Sequence, residues 1–239
     1  MKRVKIFLEL FRDNSENSGS LLLTSVGNLK PDFCGKYYEA VTGEDFRESW
    51  IRNEDDYQSI QIIKIILKGC GYLHALKIRI KLTDKAFAFL DAEKHSDAYM
   101  EFLTYYLDKF NWDYLNLRFD EDAFRIIQDS ALFSLYILKK KGNGMESEND
   151  IIRYFIEAFF KDLFISEDDW GERLVKIMFE SLFMVHFCSQ FGLIDKEYLP
   201  EIFFDRDKKI YKVKTTGLYK KNIQVESLNI ERSNFKHAE

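Results

Sequence analysis

A chain of 239 residues with 46% hydrophobic and 31% charged residues is a globular protein of one large domain or two modest ones, not a disordered one. Its formal net charge of −5 argues mildly against a chain that coats nucleic acid along its whole length. Its three cysteines, Cys34, Cys70 and Cys188, are far apart and lack CxxC spacing, which excludes a disulfide framework or zinc site and predicts a reducing, cytoplasmic setting.

The N-terminal MKRVKIFLELFRDN has too short an apolar stretch for a cleavable signal and predicts an amphipathic helix. No run approaches the ~18 apolar residues of a membrane span, so no membrane association is expected. Leu21 to Leu23 predicts a short strand. From Tyr57 to Cys70, Ile60, Ile62, Ile63, Ile66 and Leu67 fall mostly on one stripe at helical steps, after Asn53-Glu54-Asp55-Asp56 as a start signal and before Gly71 as a stop. Lys77 to Leu82 alternates strictly and predicts a strand with Ile78, Ile80 and Leu82 on one face. Helices are predicted near 97–110, 121–140, 149–164 and 169–191, the last ending at Gly192. Two apolar runs around Asp205–Lys209, within Ile202 to Val213, predict a hairpin with a polar tip.

The segment KKKGNGMESEND, Lys139 to Asp150, reads as a linker, with Ser147 and Asp150 resembling a capping box. The expected organisation is mainly α (α+β). Residues 1–142 form an N-terminal helical half, 146–225 a C-terminal half, and 226–239 a polar tail. A strand–Thr–helix junction recurs at Leu23-Thr24, Leu82-Thr83 and Val213-Lys214-Thr215-Thr216, where a Thr oxygen is expected to cap the following helix.

Charge is segregated. Lys64 to Lys85 holds six basic residues against Asp84, net +5, and Pro200 to Asn222 holds seven against three acids, net +4. Met145 to Glu172 carries net −7. Lys77, Arg79, Lys81, Arg206, Lys208, Lys209 and Lys212 are therefore the candidate phosphate contacts, each neutralised phosphate releasing counterions. The competing explanation is that lysines on short edge strands block edge-to-edge pairing.

No metal-ligand or nucleophile constellation is legible, no cofactor is implied, and an enzyme is the less favoured class. His74, His95, His186 and His237 are isolated. Gly69-Cys70-Gly71 lacks the Lys-Ser/Thr of a phosphate loop. The acidic clusters Glu54–Asp56, Asp120–Asp122 and Glu167–Asp169 each precede a predicted helix, where capping and the helix dipole account for them.

The units around Gly71-Tyr72-Leu73 and Gly192-Leu193-Ile194, each a helix, a glycine, a hairpin and a capped helix, resemble the second half of a winged-helix domain of the MarR or PadR regulator kind. Over residues 20 to 220, Leu23-Thr24, Gly27-Asn28-Leu29, Arg52–Asp56, Lys81-Leu82-Thr83 and Phe191-Gly192-Leu193 are similar to an uncharacterised bacterial family. Some of its members carry these segments beside a plasmid-ORF-type domain. Ala86 departs from that pattern, standing where glycine is usual. The resemblance implies winged-helix-like units and no particular activity. The expected partner is nucleic acid or, alternatively, another protein on a non-catalytic scaffold.

Overall fold

The computed structural model describes residues 1–15, 19–46, 53–115, 121–141, 146–159, 169–198 and 211–222. The architecture is mainly α, with two three-stranded antiparallel sheets among the described residues. The chain divides into two compact units, Met1–Asn111 and Trp112–Glu239. That division falls ahead of the Lys139–Asp150 linker, because the helices of 121–141 pack on helices that follow them. Residues 142–145, and the 226–239 tail, lie outside the described residues.

Unit 1 runs α1 (Lys2–Asn14), β1 (Ser20–Leu22), α2 (Pro31–Thr42), a 3-10 turn at Glu54–Asp56, α3 (Gln58–Gly69), β2 (Leu73–Ala75), β3 (Arg79–Leu82), α4 (Asp84–Asp91) and α5 (Ser96–Asp108). In α1, Phe7, Leu8 and Phe11 are buried, and the Phe7 ring meets Phe33 of α2 edge-on at 5.2 Å. The sheet order is β1-β3-β2, so β3 is central. Ile80 and Leu82 are buried as alternation predicts, but Ile78 is 59% exposed. The reason is local: the Leu76 amide donates to the Arg79 carbonyl at 2.7 Å, leaving Lys77 and Ile78 as a two-residue loop outside the strand.

Unit 2 runs a 3-10 turn at Trp112–Leu115, α6 (Glu121–Asp129), α7 (Ala131–Lys141), β4 (Glu146–Ser147), α8 (Glu148–Phe159), α9 (Asp169–Phe179, continued as a π-helix over Glu180–Ser189), β5 (Ile194–Tyr198), β6 (Tyr211–Thr215) and α10 (Gly217–Asn222). The single helix expected over 121–140 is interrupted at Ser130 alone, whose hydroxyl donates to the Ile127 carbonyl at 3.1 Å while its amide keeps the helical bond to Ile126 O at 3.0 Å. Ile194–Tyr198 pairs with Tyr211–Thr215, Tyr198 standing opposite Tyr211, while the expected first apolar run and polar tip, between 202 and 209, lie outside the described residues. The sheet order is β4-β6-β5, so β6 is central.

From α1 to α4 and from α7 to α10 the connectivity is the same, and one hydrogen-bond pattern recurs in both units. Gly71 (φ 77°) and Gly192 (φ 66°) end α3 and the π-helix in the left-handed region. The Tyr72 amide reaches back to Leu67 O and the Leu193 amide to Cys188 O, each at 2.8 Å, as in a Schellman close. The Thr83 amide donates to Tyr72 O at 3.1 Å and the Thr216 amide to Leu193 O at 3.0 Å. The two hydroxyls donate to Gly71 O at 2.8 Å and Gly192 O at 2.7 Å. The last strand of each sheet is thus clasped to the end of the preceding helix.

This corrects the capping expectation for two of the three junctions. Thr83 makes no side-chain cap to α4; its hydroxyl is committed backwards. At the third junction, where Lys214 occupies the usual threonine position and Thr215 or Thr216 is the expected cap, Thr216 does cap α10, accepting from the Tyr219 amide at 3.1 Å, and is the counterpart of Thr83 in its backward bond. Thr24 closes a turn, accepting from the Asn28 amide at 3.0 Å, and the next helix begins only at Pro31.

Gly192→Val should destabilise the protein by more than about 1 kcal/mol, the order of the left-handed penalty for a side-chain-bearing residue. The change in denaturation midpoint reads this directly, and an unchanged midpoint would contradict the clasp.

Candidate nucleic-acid interface

Leu23-Thr24, Gly27-Asn28-Leu29 and Asn53–Asp56 converge in unit 1 as a polar knot. Thr24 exchanges backbone hydrogen bonds with the 27–28 turn: its amide donates to Asn28 O at 2.8 Å, and its carbonyl accepts from Gly27 at 3.0 Å. The Asn28 side chain donates to Asp55 at 2.9 Å. Asn53 and Asp56 form a capping box around the 3-10 turn, which holds Glu54 in place. Glu54, 1% exposed, accepts from the Leu29 amide and is ion-paired to Lys64 of α3. The acidic cluster is therefore a structural tie that fastens α3 to the β1–α2 turn.

Ion pairing here, and in a second pair that is solvent-exposed, thins the first basic island. Lys64 is committed to Glu54, and Lys85 is paired with Glu101 and donates to Cys70 O at 2.9 Å. Arg79 is half-buried and donates to the Ser20 hydroxyl at 3.1 Å. Lys77 is exposed in the hairpin loop, Lys81 is exposed on β3, and Lys68 is exposed near the end of α3.

Strand order bears on the edge-protection explanation of the strand lysines. Edge protection applies to edge strands, but Arg79 and Lys81 lie on the central β3, and Lys212 and Lys214 lie on the central β6. The two sheets then differ in what stands across from these residues. Lys212 stands opposite Glu197 and Ser147 in register, and Lys214 opposite Asp195. Lys81 instead faces Ser20 and His74, neither of them acidic. Arg206, Lys208 and Lys209 lie outside the described residues. Unit 1 therefore presents Arg79, Lys81 and exposed His74 on the outward sheet face, with Lys77 at its tip. His74 was not singled out by sequence reading, because its place beside Lys81 depends on hairpin register.

The helix preceding the hairpin is poorly placed as a base reader. α3 buries Ile60, Ile63 and Leu67 along one stripe and Ile62 and Ile66 along another. α5 packs on it closely enough that a Cβ on Gly69 would stand 2.0 Å from Cζ of Tyr105. On the remaining strip, Gln61 donates to Asp55 at 2.7 Å and Lys64 is paired. In unit 2 the π-helix buries Leu182, Phe183, Met184, Phe187 and Cys188.

A concavity of about 400 Å³ between the end of α3 and α5 is lined by Cys70, Glu101, Thr104 and Tyr105, among others. Burial, and then the Glu101 charge, push the Cys70 thiol up to about 12, so it stays protonated at neutral pH. Cys34 is likewise pushed up to about 12, first by burial. Burial lowers the pKa of His186, as expected for a boundary histidine. Among the described residues no group of three or more His, Cys, Asp or Glu is placed to hold a metal ion, and no helix is long and apolar enough to cross a membrane.

No family model matches this chain, and comparisons with curated proteins and with solved structures also find no match.

Proposed function

We propose that this is a non-catalytic nucleic-acid-binding protein with two winged-helix-like units, in which the β2–β3 hairpin of unit 1 grips the phosphate backbone without reading base sequence. The observation that carries the reading is the placement of Lys81 on a central strand with no acid across from it, beside exposed His74 and below exposed Lys77. The resemblance to MarR- and PadR-type regulators supports it, as does the shared helix–strand–helix–helix–hairpin connectivity. Backbone contacts position a protein on a duplex but carry no sequence information, which fits a covered α3.

Lys77→Ala/Lys81→Ala in the full chain should weaken binding about equally across duplex sequences. It should flatten the log–log salt dependence by roughly 0.9 per lost phosphate contact. Fluorescence anisotropy on several random duplexes over a salt series checks this. A slope equal to that of the unaltered protein would remove the hairpin from the interface.

The covering of α3 by α5 favours a second reading, a protein-interaction scaffold in which the hairpin units only organise helices. It predicts a double variant indistinguishable from the parent in every nucleic-acid assay.

A further inference from the structure

We propose, resting on the nucleic-acid reading above, that the tip of the β2–β3 hairpin is a wedge for duplex DNA. Leu76 and Ile78 press between base steps from the minor groove while Lys77 and Lys81 hold the flanking phosphates. Three properties of the tip converge on this. The first is loop chemistry. Two-residue hairpin loops favour Asn-Gly, Asp-Gly or a leading Gly, because their backbone needs positive φ. Here the loop is Lys77-Ile78, so turn propensity does not account for these residues.

The second property is exposure. Leu76 is 46% and Ile78 59% exposed. The Leu23 amide donates to Ile78 O at 3.0 Å, and the turn just beyond it carries Val26, 79% exposed. Aliphatic side chains are thus gathered at one end of the sheet, outside its core.

The third property is charge. Lys77 stands between the two aliphatic residues, and Lys81, Arg79 and His74 line the adjoining face, with no acid among these positions. Asp55, which reaches the neighbouring turn, is held by Asn28 and Gln61. Leu and Ile wedges flanked by cations are the means by which minor-groove proteins part a base step and kink the duplex. An apolar pocket on a protein partner would accept the aliphatic pair, but it would need acids to match the surrounding cations.

The test uses the full chain and a duplex of about 25 base pairs with 2-aminopurine at a central, flexible TA step and a dye at each end. Binding should raise 2-aminopurine fluorescence about twofold and increase end-to-end energy transfer, reporting a bend of about 20–90°. Leu76→Ser/Ile78→Ser should abolish both signals and leave the slope of binding against salt unchanged, since no cation is removed. Salt-sensitive binding without either signal, or signals that survive in the double-serine variant, would overturn the wedge and leave the backbone-binding reading standing. No binding at all would overturn both, and would turn the apolar tip over to a protein partner.

Discussion

Glu54→Ala should cost about 3–5 kcal/mol of stability, the scale for removing one partner of a buried ion pair. The carboxylate is 1% exposed and serves two groups at once, the Lys64 ammonium and the Leu29 amide. Its loss leaves a largely buried cation without a counter-charge and a buried backbone donor without an acceptor, and each carries a desolvation penalty. Denaturant unfolding of the full chain measures the loss. Glu54→Leu/Lys64→Met should recover much of it, because replacing both partners by apolar groups removes the stranded charge. A single-variant effect within about 0.5 kcal/mol would be that of an ordinary surface site, and would contradict the tie between α3 and the β1–α2 turn.

Phe187→Ala should be of similar size, about 3–5 kcal/mol for a large buried aromatic. Phe187 is fully buried in the π-helix, with ring centroids 5.6 Å from Trp112, 5.7 Å from Phe183 and 5.7 Å from Phe191. The spine continues through Phe183–Phe179 at 4.9 Å and Phe179–Phe155 at 4.4 Å. Phenylalanines recur every fourth residue from 179 to 191. Truncating a ring in the middle of this row leaves a cavity that its neighbours, held by their own ring contacts, fill only in part. Val185→Ala on the exposed side of the same helix is the control, expected to stay within about 0.5 kcal/mol. Equal effects from the two variants would mean that the row of rings is not the core of unit 2.

The helices of this protein are legible in its sequence because their cause is local. The isoleucine stripe from Ile60 to Leu67 and the glycines at 71 and 192 announce α3, the long helix of unit 2, and their ends. The hairpins are legible in number and rough place. Their register is not, because pairing is settled between distant segments: Ser20 comes to lie opposite Lys81, and Asp195 opposite Lys214. That long-range fact separates a lysine facing an acid from one facing none, so composition alone scored both basic islands alike. The role of the threonines was half legible. A Thr at the end of a strand is a strong cap signal, but its hydroxyl bonds whichever carbonyl or amide the fold brings nearest. In unit 1 that is Gly71 O, twelve residues back. Of the three acids expected to cap, Asp56 does so, in the box with Asn53. Only the fold shows that Glu54 turns inward to Lys64 and that Asp55 accepts from the Asn28 and Gln61 side chains.

The central claim, that unit 1 grips phosphates through its hairpin, is tested most directly by the salt dependence of the unaltered protein on random duplex DNA. Binding should be sequence-independent, with a dissociation constant on the order of 10⁻⁴–10⁻⁶ M near physiological salt, and should weaken linearly in log–log form as salt rises. Each engaged phosphate should contribute about −0.9 to that slope. No salt-sensitive binding at micromolar protein would contradict the claim, and the scaffold reading would take its place.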